Sequence, residues 1–210
     1  MSERVAIVAG AGGELGRATA EKLAAAGLTV AGVDRNQEAL KELPDGIGRE
    51  AADPADPAEV LVNTIGTYRL GEALTATPED LRLMIDVNVG AALRLTQAVV
   101  PYLRDRGSGS VVHVAARPGL EPAAGMAAYA VSKAALAHLT RVLDLELRPF
   151  GIRVNAVAPQ QLDTAKTHPY LAPEVLAHAV VPEAVADIIV YLVSDAAAPV
   201  SGAVVPAYGA

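Results

Sequence analysis

Cysteine and tryptophan are absent from this 210-residue chain, and phenylalanine occurs only once. Without cysteine the protein has no disulfide, no thiolate metal ligand and no cysteine nucleophile. Charged residues also interrupt every apolar run well before the about 18 residues that a membrane-spanning helix needs. The N-terminal residues lead directly into an apolar segment at Val5, without the layout of a signal peptide. These absences predict a cytoplasmic protein with no membrane partner.

Positive charge is also in deficit, because 17 lysine and arginine residues face 24 aspartate and glutamate residues, giving a net charge of −7. This balance offers no electrostatic basis for binding nucleic acid or an anionic membrane surface. Hydrophobic residues make up 52% of the chain, which is enough to close a sizeable core. The length predicts a single domain over residues 1–210.

Short β-branched segments alternate along the chain with longer segments of helical periodicity. Strands are predicted at residues 5–9, 28–33, 47–52, 60–63, 110–115, 152–157 and 203–206. Helices are predicted at residues 17–26, 37–43, 78–106 (one or two helices), 127–148 and 182–194. Such alternation is typical of parallel βαβ units. The sequence therefore predicts a single doubly wound α/β domain of the Rossmann type, with a parallel sheet and helices on both faces.

The connection between the third and fourth predicted strands is unusually short. Six residues separate Asp53 from Val60, and an extended segment of that length reaches roughly 20 Å. A parallel crossover usually needs about a dozen residues or more, and commonly a helix. The domain is therefore shortened near residues 53–60. Either the third strand is vestigial, or a crossover helix has been lost.

A glycine-rich turn containing Gly10, Gly13 and Gly16 joins the first predicted strand to the first predicted helix. Glycines at this junction allow a tight turn and the close approach of a pyrophosphate, which can accept hydrogen bonds from the helix N-terminus. Asp34 ends the second predicted strand, where its carboxylate can accept from an adenosine ribose diol. Together these features predict dinucleotide binding. Asp34 favours NAD, because a 2′-phosphate would meet its charge, and the adjacent Arg35 softens that preference.

Tyr129 and Lys133 are four residues apart in a predicted helix, so their side chains share one face. A nearby ammonium stabilises a phenolate and lowers the pKa of a tyrosine from about 10 toward neutral pH. A phenol tuned in this way can donate a proton beside a hydride acceptor. The spacing therefore predicts an acid catalyst and its tuning residue in one cleft.

At this point the chain resembles the short-chain dehydrogenase/reductase family over nearly its whole length. The motifs that carry the resemblance stand in the family's order: the glycine turn, Asp34, Asn88, the Tyr129–Lys133 pair and residues 153–159. The resemblance implies that Tyr129 is the general acid. It also implies that Lys133 holds the nicotinamide ribose and tunes Tyr129, and that Asn88 anchors a proton-relay water.

The same resemblance implies a set of residues in contact with the dinucleotide. They are Gly10, Gly13, Glu14, Leu15, Gly16, Asp34, Arg35, Asp53, Gly66, Tyr129, Lys133, Pro159 and Thr164. Within this set, Asp53 resembles the family's acidic contact to adenine, and Thr164 resembles its contact to the nicotinamide carboxamide. The family also implies a homodimer or a homotetramer.

The catalytic serine of the family has no counterpart in this chain. Thirteen residues before Tyr129, where the family places that serine, the sequence has Ala116. Loss of the hydroxyl also marks the dihydropteridine reductase branch of the family, which the chain resembles in several short segments. Tyr68 lies where that branch has an aromatic residue near the pterin. Tyr68, Ala116 and Arg117 are therefore candidate substrate contacts.

The leading hypothesis is an NAD(P)-dependent reductase that transfers hydride to a conjugated C=N or C=O group, with a pterin-like substrate favoured and Tyr129 as proton donor. A developing alkoxide without a hydrogen-bond donor would lose about 10²–10³ in rate, whereas a quinonoid or imine acceptor disperses its charge into a ring. Two alternatives stay open: a catalytically silent dinucleotide-binding protein and a non-redox biosynthetic enzyme on the same fold. No metal site is expected, because the four histidines lack carboxylate-supported spacing.

Overall fold

The computed structural model describes residues 4–48 and 58–209. Six strands run through these ranges: β1 (Val5–Ala9), β2 (Thr29–Val33), β3 (Ala58–Asn63), β4 (Gly109–Val114), β5 (Ile152–Pro159) and β6 (Val204–Ala207). Seven α-helices accompany them: α1 (Glu14–Ala25), α2 (Gln37–Leu40), α3 (Pro78–Ile85), α4 (Ala91–Arg106), α5 (Ala127–Leu147), α6 (Pro173–Leu176) and α7 (Pro182–Val193). The expected single α/β domain is confirmed.

The strands form one parallel sheet in the order β2-β1-β3-β4-β5-β6. The chain moves outward from β1 to β2 and then returns to place β3 on the other side of β1. This reversal opens a crevice at the carboxyl ends of β1 and β3, the position where ligands bind in doubly wound sheets. Ala9 is paired with both Val33 and Asn63 at this edge.

The hydrophobic core lies on both faces of the sheet. Alternate residues of β3 show the division, because Val60 and Val62 pack in one cluster and Leu61 packs in the other. The first cluster includes side chains from α1 and α7, such as Leu23 and Ile189. The second includes side chains from α4 and α5, such as Leu103. Helices thus cover both faces, as the run of buried β-branched residues predicts.

Several element ends differ by one to three residues from the sequence predictions; β3, for example, begins at Ala58 and not at Val60, and α2 ends at Leu40 and not at Leu43. Helix α1 begins at Glu14, directly after the glycine turn, and not at Arg17. Of the third strand predicted over residues 47–52, the structure describes only Ile47 and Gly48, and Gly48 forms one parallel bridge with Ala31 of β2. The rest of that predicted strand, and the shortened connection up to residue 57, lie outside the described residues.

The segment from Pro78 to Arg106 is one helical run, interrupted by five residues of π-helix at Asp86–Gly90. Thr77 begins it with a capping box, in which the Thr77 hydroxyl and the Asp80 carboxylate each accept from the other residue's backbone N–H. Among the described helices this 29-residue run alone has the length and mean hydropathy (1.3 over 18 residues) to cross a membrane. Charged residues interrupt its apolar runs, whereas a mean over a hydropathy window tolerates a few charges. Its inner side packs against β3, β4 and α5 within the domain.

Candidate functional site

The turn between β1 and α1 is held close to the neighbouring strand end. Gly10 has a φ of 86°, in the left-handed region that favours glycine. A Cβ atom on Gly16 would overlap the carbonyl oxygen of Gly10. The hydroxyl of Thr64, directly after β3, donates to the carbonyl oxygens of Ala9 at 2.9 Å and Gly10 at 3.2 Å. Thr64 was not among the predicted site residues, yet it joins the turn to the end of β3, where the crevice opens.

Asp34 lies directly beside this turn. Its carboxylate accepts from the backbone N–H of Gly12 at 3.1 Å and of Asn36 at 2.9 Å. The Asn36 side chain caps α2 by accepting from the backbone N–H of Ala39. The carboxylate is therefore fixed at the end of β2, next to the glycine turn. Arg35 is exposed beside it.

The residues around the turn fit a nicotinamide dinucleotide. Gly13 is the N-cap of α1 and supplies no side-chain cap to the N–H groups of the first turn. At Gly66, a Cβ atom would lie 3.2 Å from both the Asn88 Oδ1 and the Lys133 Nζ atoms, so glycine leaves this part of the cleft open. Uncapped N–H groups suit a pyrophosphate, and a fixed carboxylate with a buried lysine suits two riboses.

Three further residues are predicted to contact the dinucleotide, and each lies in a different part of the fold. Leu15 is buried in the core, so it can offer only its backbone to a ligand. Pro159 ends β5 at the carboxyl edge of the sheet. Thr164 lies in the loop after β5, where its hydroxyl shares a 2.8 Å hydrogen bond with Thr167. Asp53 lies outside the described residues.

Tyr129 and Lys133 stand one turn apart near the start of α5, and the Lys133 Nζ atom lies 5.9 Å from the centroid of the Tyr129 ring. Lys133 is buried and donates to the carbonyl oxygen of Val114, the last residue of β4, at 2.7 Å. This bond ties α5 to the strand end. Burial lowers the pKa of Lys133 to about 8.

The pKa of Tyr129 differs in direction from the sequence prediction. Burial raises it to about 12, so the expectation that Lys133 lowers this pKa is wrong for the protein in this structure. The ammonium is directed to Val114, and loss of hydration penalises the phenolate. Tyr129 is therefore protonated at neutral pH. A protonated phenol is the form that donates a proton.

Asn88 is fully buried in the π-helical segment and connects three parts of the cleft. Its amide nitrogen donates to the Ser132 hydroxyl at 2.8 Å and to the Thr67 carbonyl oxygen at 3.0 Å. Its amide oxygen accepts from the backbone N–H of Thr67 at 2.9 Å. Ser132, next to Lys133, donates in turn to the carbonyl oxygen of Tyr129 at 2.7 Å. Asn88 thus holds the loop after β3 against the first turns of α5.

The end of β4 forms the third side of the site. Ala115 and Ala116 are buried there and carry no hydroxyl. Arg117 follows in a short 3₁₀ turn, and its guanidinium donates to the side-chain oxygen of Gln160 at 2.6 Å. Tyr68 is 63% exposed, and its ring meets the Tyr129 ring edge-on at 6.4 Å between centroids. The structure thus brings the three predicted substrate contacts to one edge of the sheet.

The Glu14 carboxylate makes a contact that the sequence did not predict. This carboxylate accepts from the backbone N–H of Ala165 at 2.9 Å. Glu14 begins α1, and Ala165 belongs to the loop after β5. The contact therefore links the two sides of the crevice across 151 residues of sequence. No local sequence pattern signals it.

His113 is a fully buried residue of β4, directly before Val114, whose carbonyl oxygen accepts from Lys133. Its Nε2 atom lies 3.5 Å from the Thr96 hydroxyl, and its Nδ1 atom has no hydrogen-bond partner. Burial, together with the charge of Lys133, lowers its pKa to about 4. Among the described residues there is no group of three or more histidine, aspartate or glutamate side chains arranged to hold a metal ion. The absence of a metal site stays a prediction.

Comparison with known proteins agrees with this geometry. The family model described as short chain dehydrogenase matches residues 4–59, and the model described as enoyl-(acyl carrier protein) reductase matches residues 49–209. A protein of Bacillus subtilis (strain 168), named 2,3-dihydro-2,3-dihydroxybenzoate dehydrogenase, is 34% identical over 184 residues, which cover 77% of this chain and 70% of the relative.

Two solved structures extend the similarity to nearly the whole chain. An oxidoreductase of the short chain dehydrogenase/reductase family from Burkholderia thailandensis has a TM-score of 0.90 and 27% identity, and the match covers 100% of this chain and 92% of that one. A 7α-hydroxysteroid dehydrogenase complexed with NADH and 7-oxo glycochenodeoxycholic acid has a TM-score of 0.90 and 26% identity, covering 98% and 93%. The chain therefore belongs to the short-chain dehydrogenase/reductase family, as an oxidoreductase with a nicotinamide dinucleotide cofactor.

Proposed function

We propose that this protein is an NAD-dependent reductase that transfers hydride to a conjugated C=N or C=O group, with Tyr129 as the proton donor and a pterin-like ring as the favoured substrate. The observation that carries the proposal is the pair formed by the partly buried Tyr129 and the buried Lys133, beside a strand end where Ala115 and Ala116 carry no hydroxyl. This arrangement resembles that of the dihydropteridine reductase branch of the family.

The chain's own residues divide the work of the reaction. A bound reduced nicotinamide supplies the hydride. Tyr129 gives the phenolic proton to the substrate heteroatom, and the Lys133 ammonium stabilises the negative charge that develops on the phenol oxygen. Asn88 and Ser132 fix the first turns of α5, so that the phenol and the ammonium keep their separation. Asn88 also anchors the proton-relay water in this proposal.

The lack of a hydroxyl near Ala116 favours one class of acceptor. A missing donor to a developing alkoxide costs roughly 10²–10³ in rate. A quinonoid or imine acceptor spreads its charge over a ring and depends less on such a donor. Tyr68, packed edge-on near Tyr129, offers an aromatic surface to a planar ring.

Asp34 favours NAD over NADP in this proposal. Its carboxylate is held by the N–H groups of Gly12 and Asn36, so it cannot readily turn away from a 2′-phosphate. We further propose that the protein acts in the cytoplasm as a homodimer or homotetramer. The remaining predicted contacts, among them Gly13, Gly66 and Thr164, complete the dinucleotide site.

A second candidate is the oxidation of a secondary alcohol on a non-aromatic ring. It is favoured by the Bacillus subtilis relative, whose name is that of a dihydrodihydroxybenzoate dehydrogenase. In that direction Tyr129 would have to accept a proton as its phenolate. The raised pKa of Tyr129 disfavours this at neutral pH, so we place reduction first.

The test is a screen of NADH and NADPH oxidation with quinonoid dihydropterin, quinones and simple ketones, together with a screen of NAD reduction with cyclic dihydrodiols. We expect turnover of quinonoid dihydropterin with NADH. Tyr129→Phe should lower it by about 10²-fold or more while NADH binding stays unchanged, because only the proton is removed. Tyr102→Phe, on the exposed side of α4, is the matched control.

Three other results would each replace the proposal. Turnover of dihydrodiols alone would establish the second candidate. Tight NADH binding without turnover of any acceptor would indicate a catalytically silent dinucleotide-binding protein. Full activity of Tyr129→Phe would show that the reduction does not need Tyr129 as its proton donor.

A further inference from the structure

We propose that Arg117 is the receptor for an anionic substituent, a carboxylate, on the substrate of this enzyme. The inference rests on the proposed function, because it assigns the class of molecule that enters the same cleft. It adds that the conjugated acceptor carries a negative charge away from the reacting bond.

The position of Arg117 supports this assignment. Its short 3₁₀ turn follows β4 directly and packs on α5, where a Cβ atom on Gly119 would overlap the backbone of Lys133. Gln160, which accepts from the guanidinium at 2.6 Å, follows β5. Arg117 therefore lies across the carboxyl ends of β4 and β5, on the side of the crevice where Ala116 stands.

The surroundings of the guanidinium resemble a receptor for a flat anion. Its carbon atom lies over the Tyr208 ring, 4.8 Å from the centroid, in a cation–π contact. Its Nε atom donates to the Glu121 carboxylate at 2.8 Å. Burial, and after it the Glu121 charge, raise the pKa of Tyr208, which keeps that phenol neutral beside the guanidinium. The contacts with Tyr208 and Gln160 hold the guanidinium in place at the strand ends.

Glu121 occupies the place that a substrate carboxylate would take. The Arg117 and Glu121 side chains are 43% and 49% exposed, and they are four residues apart. An exposed ion pair of this kind contributes little to stability, so a bound carboxylate can displace Glu121 at small cost. The planar fork of arginine matches a carboxylate in two parallel hydrogen bonds. The Arg117–Glu121 pair is thus an exchangeable anion site at the edge of the reaction cleft.

The experiment compares benzoate with benzamide, two planar molecules that differ in charge, in binding to the protein–NADH complex. Calorimetry or the fluorescence of bound NADH gives each dissociation constant without any turnover. In the wild-type complex we expect benzoate to bind at least roughly tenfold tighter than benzamide, which is the effect of a charge-assisted pair. Arg117→Met should abolish the preference. Glu121→Gln should increase it severalfold, because it removes the competing carboxylate.

Arg104→Met is the matched control, since Arg104 also makes a cation–π contact, with the Phe150 ring, but lies at the end of α4. It should leave the preference unchanged. Equal binding of the two probes to wild type, no binding of benzoate at millimolar concentration, or a preference that survives Arg117→Met would overturn the inference. If Arg117→Met does not fold, Glu121→Gln decides alone, and a preference that it leaves unchanged or weakens overturns the inference.

The two proposals fail separately. The reductase proposal fails if NADH is not oxidised with neutral quinonoid acceptors, which carry no carboxylate for Arg117 to bind. Loss of the anion site shows in probe binding, whatever the turnover.

Discussion

The Lys133 ammonium donates to the carbonyl oxygen of Val114 at 2.7 Å, and so joins helix α5 to the last residue of strand β4. The same group lies 5.9 Å from the centroid of the Tyr129 ring. Lys133 therefore makes a hydrogen bond to Val114 that holds the helix on the strand, and it also places its charge near the Tyr129 ring. Its burial lowers its pKa to about 8, which places its loss of charge near the working pH of an enzyme.

The pH profile of reduction should report this titration. Above about pH 8 Lys133 becomes neutral and no longer stabilises charge on the Tyr129 oxygen, whereas Tyr129, with a pKa of about 12, stays protonated. We therefore expect kcat/KM for reduction to fall as the pH rises through about 8. Lys133→Met should have low activity without that inflection. A wild-type rate that rises through this range would contradict the assignment.

Asp34 should impose a preference for NADH over NADPH. Asp34→Ala removes a ribose acceptor and the repulsion of a 2′-phosphate, so the ratio of the two dissociation constants should shrink by about tenfold. Asp34→Asn separates the two effects, because an amide oxygen can still accept from Gly12 while the charge is lost. Fluorescence titration with each cofactor measures the ratios. Equal affinity of the wild type for NADH and NADPH would disprove the prediction.

A hydroxyl restored at the end of β4 should change the substrate profile. In Ala116→Ser the new hydroxyl can donate to a ketone oxygen, which should improve kcat/KM for ketones by about 1–3 kcal/mol of transition-state stabilisation. We expect kcat/KM for quinonoid acceptors to change little. Ala115→Ser is the companion variant, because both alanines are buried at this strand end. If neither variant favours ketones, Ala116 does not mark the substrate class.

Glu14 should control access to the loop after β5. Glu14→Ala removes the acceptor for the Ala165 N–H, and trypsin should then cut after the exposed Lys166 roughly fivefold faster, the effect of about 1 kcal/mol. Glu14→Gln keeps an acceptor, so its cleavage rate should stay near that of wild type. Glu21→Ala, on the exposed side of the same helix, is the control. Unchanged cleavage in Glu14→Ala would mean that the contact does not hold the loop.

Much of the fold followed from local patterns. The bounds of β1 are those predicted, because a short run of apolar residues between charged residues and glycines has few alternatives to a buried strand. Helix α1 was placed three residues late, since Gly16 lies in its first turn and glycine is a poor helix former. Packing overrides that propensity here, because only glycine fits against the carbonyl oxygen of Gly10.

The sequence predicted which residues form the site, but not the direction of the pKa shift of Tyr129. Spacing alone put Tyr129 and Lys133 on one helix face, because the period of a helix is fixed. The direction of the pKa shift of Tyr129 depended on burial, which is a property of the assembled domain. The contacts of Asn88 and Glu14 join residues 44 and 151 positions apart, a separation at which no local pattern operates.

Local sequence patterns were enough to predict the succession of strands and helices along most of the chain, the glycine turn and the residue types at the strand ends, because these depend on neighbours a few positions away. The assembled fold was needed to show that Lys133 donates to Val114, that two backbone N–H groups hold the Asp34 carboxylate, and that Arg117 contacts Glu121, Gln160 and Tyr208. These contacts arise when parallel strands bring their carboxyl ends to one edge of the sheet. Desolvation there lowers the pKa of Lys133 and raises that of Tyr129.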